Sequence, residues 1–345
     1  MEKLGVGIVG LGQVARVRHV EAYKRCENAE VVAAYDPNSE REVVAKQLNI
    51  PNFYTDLNSF YSNSNLKAVS ICAPPMDHAD MIKHALNQNR HVLVEKPITM
   101  DKVDQMSLET IAADKKLVFG TCHNFLFGKA MTRLSRIRNE KNLGDVVGAT
   151  AIQWSSWNRR LPKWHPQLPG GLFFDEGPHL LYMIEHFIGD LSVDDAWYVQ
   201  KILPNDREVS HFNVAFKGDS AFATINMWFG APQSEWMLAV GFERGTAVID
   251  LFRDILIFLP PEYKRDYRYI LEIPLRSTIQ QWISIFNWSV ARIFKGRHLY
   301  GHQHIINSFV HAVQSDSEPE ITSRNGFRIL KVIEETLEKA GLKSI

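Results

Sequence analysis

Cysteine is scarce in this chain: Cys26, Cys72 and Cys122 are the only three in 345 residues, and no two form a Cys-x-x-Cys pair. That excludes a disulfide framework, argues against a thiolate metal site, and fits a reducing compartment. An excess of charge of either sign is also missing, because 39 Lys and Arg balance 39 Asp and Glu. No overall field therefore draws the protein to nucleic acid or to anionic lipid. No run of eighteen apolar residues occurs, so no membrane span is expected. An apolar strand already begins at Leu4, leaving no room for a signal peptide. The expectation is a cytoplasmic protein whose partners are small molecules, with no nucleic acid and no membrane. Low-complexity linkers and internal repeats are absent too. What is plentiful is apolar surface, 45% of residues, enough for sizeable cores in two domains.

The first motif is a nucleotide-binding start. Leu4 to Val9 reads as a buried strand and leads into Gly10-Leu11-Gly12-Gln13-Val14-Ala15, followed by a helix-compatible stretch. Gly10 suits a tight turn, Gly12 lets backbone approach a pyrophosphate, and Ala15 permits close packing of helix on strand. The helix start, with Gln13 and Val14, then offers N–H groups to phosphate. A second strand, Glu30 to Tyr35, ends at Asp36. A carboxylate there can accept both ribose hydroxyls and would repel a 2'-phosphate, and Pro37, Asn38 and Ser39 supply no cation to reverse that. This favours NAD over NADP. Asp36 could equally open the turn at Asp36-Pro37-Asn38 or cap the next helix.

From residue 1 to 123 short apolar runs alternate with amphipathic segments, including Ala68 to Cys72, a helix from Asp77 to Asn87, His91 to Val94, and Lys116 to Gly120. Such alternation specifies an α/β domain with a doubly wound parallel sheet, whose ligand lies at the carboxyl ends of the strands. Pro74, Glu95, Lys96 and Asn124 follow strands directly and should line that cleft. His78, close to a helix start, is either a cofactor neighbour or a structural cap. Beyond residue 124 the strands lengthen and alternate polar with apolar, from Val146 to Trp157 and on to Ile255 to Phe258. Residues 124–345 should therefore form an α+β domain on a large open, mostly antiparallel sheet.

Gly10 to Ala15, the Ala73-Pro74-Pro75-Met76-Asp77-His78 segment, His91 to Pro97 and Gly170 to His179 together resemble the Gfo/Idh/MocA family, in order and spacing along essentially the whole chain. The resemblance implies a Rossmann domain followed by a sheet domain that often mediates dimer or tetramer formation. It implies NAD(P)-dependent redox chemistry at a secondary alcohol of a sugar, cyclitol or related polyol. Lys96, Asp175 and His179 fall on the family's lysine, carboxylate and histidine. One departure is Tyr182, where the family often has aspartate three residues after the histidine.

Chemistry gives each of the three a role. Oxidising a carbinol needs a base for the hydroxyl proton, and His179, with a reference pKa near 6.5, is suited to it. Lys96 would orient the reacting oxygen and stabilise its developing charge, or relay the proton. Asp175 lies four residues before His179, so a helix through Asp175 to His186 puts both on one face. Each residue alone has an ordinary reading: surface lysine, helix cap, structural histidine. Only their joint presence points to catalysis. Two rivals stand beside a dehydrogenase: an enzyme that keeps NAD for transient oxidation during glycoside cleavage or epimerisation, and a non-catalytic dinucleotide or sugar sensor, which would need no such trio.

Trp157, Arg159, Arg160 and Trp164, with Trp154, Lys163 and His165, form a cluster suited to stacking on a sugar and holding an anionic group. The alternative is a twisted strand with core tryptophans and solvated arginines. The aromatic, basic-flanked segment 282–294 could lie on a membrane, but it is apolar nearly all round, which favours packing against the sheet or another subunit. His298, His302 and His304 lack an acidic or cysteine companion in sequence, and no metal is assigned to them.

Overall fold

The computed structural model describes residues 2–156, 158, 161, 162, 164–203, 206–218, 221–261, 267–295 and 299–342. Two compact units emerge, Met1–Asn124 with Gly301–Lys331, and Phe125–Tyr300 with Val332–Ile345.

The first unit is built on six parallel strands: β1 (Leu4–Val9), β2 (Ala29–Tyr35), β3 (Phe53–Tyr54), β4 (Ala68–Ile71), β5 (His91–Val94) and β6 (Phe119–Thr121). Their order is β3-β2-β1-β4-β5-β6. Because helices cover both faces of such a sheet, its central strands read as unbroken apolar runs, and every residue of β1 and β4 is buried. The order reverses between β1 and β4, which opens a crevice at their carboxyl ends.

The segment Gly301–Lys331, which the sequence reading placed in the second domain, packs in this first unit. Gly120 pairs with Thr322 in an antiparallel bridge at the β6 edge. A Cβ at Gly120 would lie 2.8 Å from the Ile321 carbonyl, so only glycine admits that approach. Phe119 and Phe327 meet edge to face at 6.5 Å, and Gln303 donates to the Ala22 carbonyl at 3.1 Å.

The second unit carries seven strands: β7 (Val146–Ser156), β8 (Ser192–Leu203), β9 (Asp206–Lys217), β10 (Phe222–Ala231), β11 (Glu235–Phe242), β12 (Gly245–Asp250) and β13 (Ile255–Leu259). Their order is β13-β12-β11-β7-β10-β9-β8, and every pair is antiparallel except β7 with β10. Burial alternates along β10 and β11 because only one face is covered. The helix Leu172–Ile188 supplies that cover, with fourteen buried residues. Its Glu176 carboxylate accepts hydrogen bonds from Gln153 and Ser155 of β7.

The opposite face of this sheet is half-exposed and laddered. Thr150 meets Thr224, Asn226 donates to Asn213, and Trp154 packs edge to face on Trp228 at 6.1 Å. Among the described residues no helix is long and apolar enough to cross a membrane.

Candidate active site

The glycine turn after β1 has the backbone its sequence demands. Gly10 sits at φ +88°, and a Cβ there would lie 3.0 Å from the Ala73 nitrogen and the Cys72 carbonyl, the loop that leaves β4. The chain then enters wide helical turns at Ala15–His19, running into regular helix at Val20–Lys24. Asp36, directly after β2, accepts the Leu11 N–H at 2.9 Å on one carboxylate oxygen and the Asn38 N–H at 3.0 Å on the other. Both readings of Asp36 are thus compatible: it opens its turn and fastens the glycine loop, and each oxygen retains a lone pair that can accept a ribose hydroxyl. A turn closed to a Cβ at Gly10, a helix start beyond it and a carboxylate at the end of β2 are what an NAD dinucleotide requires, so these residues fit the cofactor.

An Asp36→Ala protein is expected to lose roughly tenfold in NAD affinity, the worth of hydrogen bonds to a charged acceptor, and much less in NADP affinity. Fluorescence titration with both dinucleotides checks this, and equal losses would count against a ribose role.

His78, read as a cofactor neighbour or a structural cap, and Glu95, expected to line the cofactor cleft, are both buried and held by protein contacts. The His78 ring lies between the loops after β4 and β5, with Nδ1 2.8 Å from the Pro97 carbonyl and Nε2 3.0 Å from the Ala73 carbonyl. Burial lowers its pKa, so the ring is neutral and donates its one N–H to one of these carbonyls while the other nitrogen lies against the second. Glu95 Oε1 lies 2.8 Å from His19 Nε2 and 3.2 Å from His302 Nε2, while Oε2 accepts the Lys96 N–H at 3.2 Å. Glu95 therefore underpins the backbone of Lys96, whose side chain is half-buried.

Register explains the company Glu95 keeps. Cys72, Glu95 and Cys122 each follow the last residue of β4, β5 and β6, in one row across the sheet. The donors of His19, Glu95 and Cys122 lie within 4.8 Å of one another, a set that could hold a metal ion. The short contact between His19 and Glu95 already neutralises the charges there, and we read the cluster as a buried ion pair. In sequence, His19, Cys72 and Cys122 carried no signal beyond residue type, and His302 stood out only for its spacing from His298 and His304.

Asn124, at the end of the first unit, is 3% exposed. Its neighbour His123 is also buried, and burial, with Arg328 nearby, lowers the imidazole pKa to about 3. It stays neutral and is no acid or base at working pH.

In the second unit, Gly171 at φ +60° starts the helix Leu172–Ile188. Asp175 and His179 fall one turn apart on it. From Leu172 to Ile184 every residue is buried except His179, which makes this histidine the one opening in an otherwise covered stretch. Its Nδ1 lies 2.8 Å from the Tyr182 hydroxyl, and that oxygen accepts the Phe125 N–H at 3.1 Å. Phe125 stands edge to face on the ring at 4.9 Å, and Trp236 lies at 5.5 Å. Tyr182 thus occupies the orienting position with a neutral phenol.

Of the proposed sugar cluster, Trp157, Arg159 and Arg160, with Lys163, lie outside the described residues. Trp164 is half-buried at the start of a short turn, His165–Gln167. Trp154 belongs to the ladder on the half-exposed face of the sheet, where its Nε1 donates to Asn226 at 3.4 Å.

Residues 4–123 match the GFO_IDH_MocA model, described as an oxidoreductase family with an NAD-binding Rossmann fold. The Rossmann unit is a Gfo/Idh/MocA domain. That family is NAD-binding, and the turn geometry fits the cofactor. Along 77% of this chain and 85% of its own length, Oxidoreductase P35 of Formosa agariphila is 22% identical. A levoglucosan dehydrogenase crystallised with NADH and L-sorbose superposes at a TM-score of 0.80 and 15% identity, over 99% of this chain and 97% of that one. The WlbA dehydrogenase of Bordetella pertussis, in complex with NADH and UDP-GlcNAcA, gives 0.78 and 15% over 99% and 96%. At such identities the structural likeness speaks to the fold alone, which these chains share with this one through the second unit.

Proposed function

We propose that this protein is an NAD-dependent dehydrogenase that transfers hydride between the nicotinamide and a secondary alcohol of a sugar, cyclitol or sugar derivative, anionic and nucleotide-linked sugars included. The observation that carries the reading is the one opening, at His179, in the buried stretch Leu172 to Ile184, with Asp175 one turn before it and the ring held by Tyr182. A histidine fixed at Nδ1 and framed by aromatic rings is arranged to move one proton in a chosen direction.

Bound NAD supplies the hydride acceptor. His179 removes the hydroxyl proton in the direction of oxidation and returns it in reduction. When Nδ1 carries its hydrogen, it donates to the Tyr182 oxygen, and Nε2 then faces the proton to be taken. Lys96, its backbone fastened by Glu95, stabilises the negative charge that develops on the carbinol oxygen. Asp175 holds neighbouring hydroxyls of the substrate or keeps His179 in place. Substrates of the two superposed dehydrogenases, an anhydrosugar and a nucleotide-linked sugar acid, support the substrate class.

A homodimer or homotetramer built on the half-exposed face of the second sheet belongs to this reading, supported by Trp197, Val199 and Phe222, which stand exposed there. A reducing, cytoplasmic location does too, supported by three buried free thiols.

The test is the near-ultraviolet absorbance of reduced nicotinamide, with protein, NAD or NADP, and a panel of free sugars, inositols, sugar acids and nucleotide sugars. A substrate-dependent rise supports a dehydrogenase and identifies its class. No rise, with NAD found tightly held, would turn the reading to transient internal oxidation or to a sensor. Within the same assay, Tyr182→Phe is expected to lower kcat about tenfold, less than the roughly 100-fold lost with a general base itself because the histidine remains, with NAD affinity unchanged. A variant as active as the parent would remove Tyr182 from the mechanism.

A further inference from the structure

The helix Tyr267–Lys295 turns its polar side inward. Ile273, Ser277, Gln280 and Ser284, spaced four, three and four residues apart, are half-buried, as is Ser289. Gln280 fixes that side to the edge strand β13, accepting the Phe258 N–H at 2.9 Å and donating to the Phe258 carbonyl at 3.0 Å. The helix thereby closes a sheet edge that would otherwise pair with another chain.

The opposite side is apolar and open. Leu271, Leu275, Ile279, Trp282, Ile283 and Phe286 are between 49% and 70% exposed, and nothing among the described residues covers them. A contiguous apolar surface of this size is rare on a protein that works alone.

Three observations select the occupant. The steps from Leu271 to Leu275, Ile279, Trp282 and Phe286 are four, four, three and four residues, the spacing with which a helix seats its side chains against another helix. The only charges within the stripe, Glu272 and Arg276, pair with each other, so covering them would strand no lone charge. The exposed side chains offer roughly 800 Å² per copy, about one partner's share of a standard interface. A helix lying on lipid would instead set a strongly charged face against its apolar one. Here the other face carries serine and glutamine.

We propose that this stripe is a self-association interface, in which two copies of the chain pack their Tyr267–Lys295 helices about a two-fold axis through the middle of the stripe. Ile279 then meets its own counterpart. The surface is separate from the half-exposed sheet face and does not depend on the substrate or on the catalytic reading.

Light scattering after size exclusion of the full chain tests it, with Ile279→Glu/Phe286→Glu as the variant. The expected result is an assembled parent and a variant that dissociates at least 100-fold more readily, with unchanged thermal midpoint and NAD affinity. Because the three natural cysteines are buried, an Ile279→Cys protein should also yield a disulfide-linked dimer under mild oxidation, as the parent does not. A monomeric parent overturns the proposal, as does a variant that keeps the parent's assembly state. A monomer that floats with phosphatidylserine vesicles would overturn it in favour of lipid.

Discussion

A Lys96→Met protein is expected to bind NAD as the parent does and to turn over its substrate at least about 100-fold more slowly, the lower end of what a positioned proton-transfer or charge-stabilising group contributes. The carboxyl end of β5 brings the Lys96 backbone to the crevice side of the Rossmann sheet, with the Glu95 side chain buried behind it. Glu95 holds the Lys96 N–H at 3.2 Å, so the backbone stays anchored when the side chain is shortened, and the loss reports on the ammonium group itself. Lys96→Arg separates the two roles open to it. An arginine keeps the positive charge but cannot give up a proton at working pH. Recovery of most activity would assign charge stabilisation, and failure to recover would assign proton relay. Stopped-flow measurement of NADH formation distinguishes these, and parental turnover in Lys96→Met would sink the catalytic assignment.

What the chain revealed in advance followed the physics of each element. Strands β1, β4 and β5 are buried on both faces, so Leu4–Val9, Ala68–Ile71 and His91–Val94 stand out as apolar runs, and the residues after them could be placed at the sheet's carboxyl edge. The helix carrying Asp175 and His179 was legible from Leu180, Leu181, Ile184 and Phe187, although it starts earlier, at Leu172. Strand β6 was expected from Lys116 but begins at Phe119, because Lys116 takes φ +53° in ending the preceding helix.

Contacts between residues far apart in sequence were not legible. His302 meets Glu95 across 207 positions, and no local pattern announces it. For the same reason Gly301–Lys331 looked like part of the second domain, since amphipathic helices do not declare which sheet they will cover. Glu95 was expected at the cofactor because it directly follows a strand at the sheet's carboxyl edge. Side chains of successive residues on an extended chain point opposite ways, and Glu95 points into the protein.

The largest stability effect should come from that buried carboxylate. Glu95→Gln is expected to cost about 3 kcal/mol, as when one partner of a buried pair is removed and the other charge is left uncompensated. Burial alone would raise the Glu95 pKa, but hydrogen bonds from His19 and His302 outweigh it and hold the group well below the usual carboxylate range. For His19, burial would lower the pKa, and interactions with Cys72, Cys122 and Glu95 reverse this and raise it well above 6.5. The signs then fix the pH window. A depressed carboxylate stabilises fully above its unfolded pKa and loses that contribution as pH falls through the folded value. A raised histidine stabilises fully below its unfolded pKa and loses that contribution as pH rises through the folded value. Both contributions are complete between about pH 4.5 and 6.5. Urea unfolding of parent and Glu95→Gln across pH 4 to 9.5 should therefore show the widest separation near pH 5.5, narrowing on either side. A separation that stays constant across the range would mean that Glu95 and His19 are held as neutral partners.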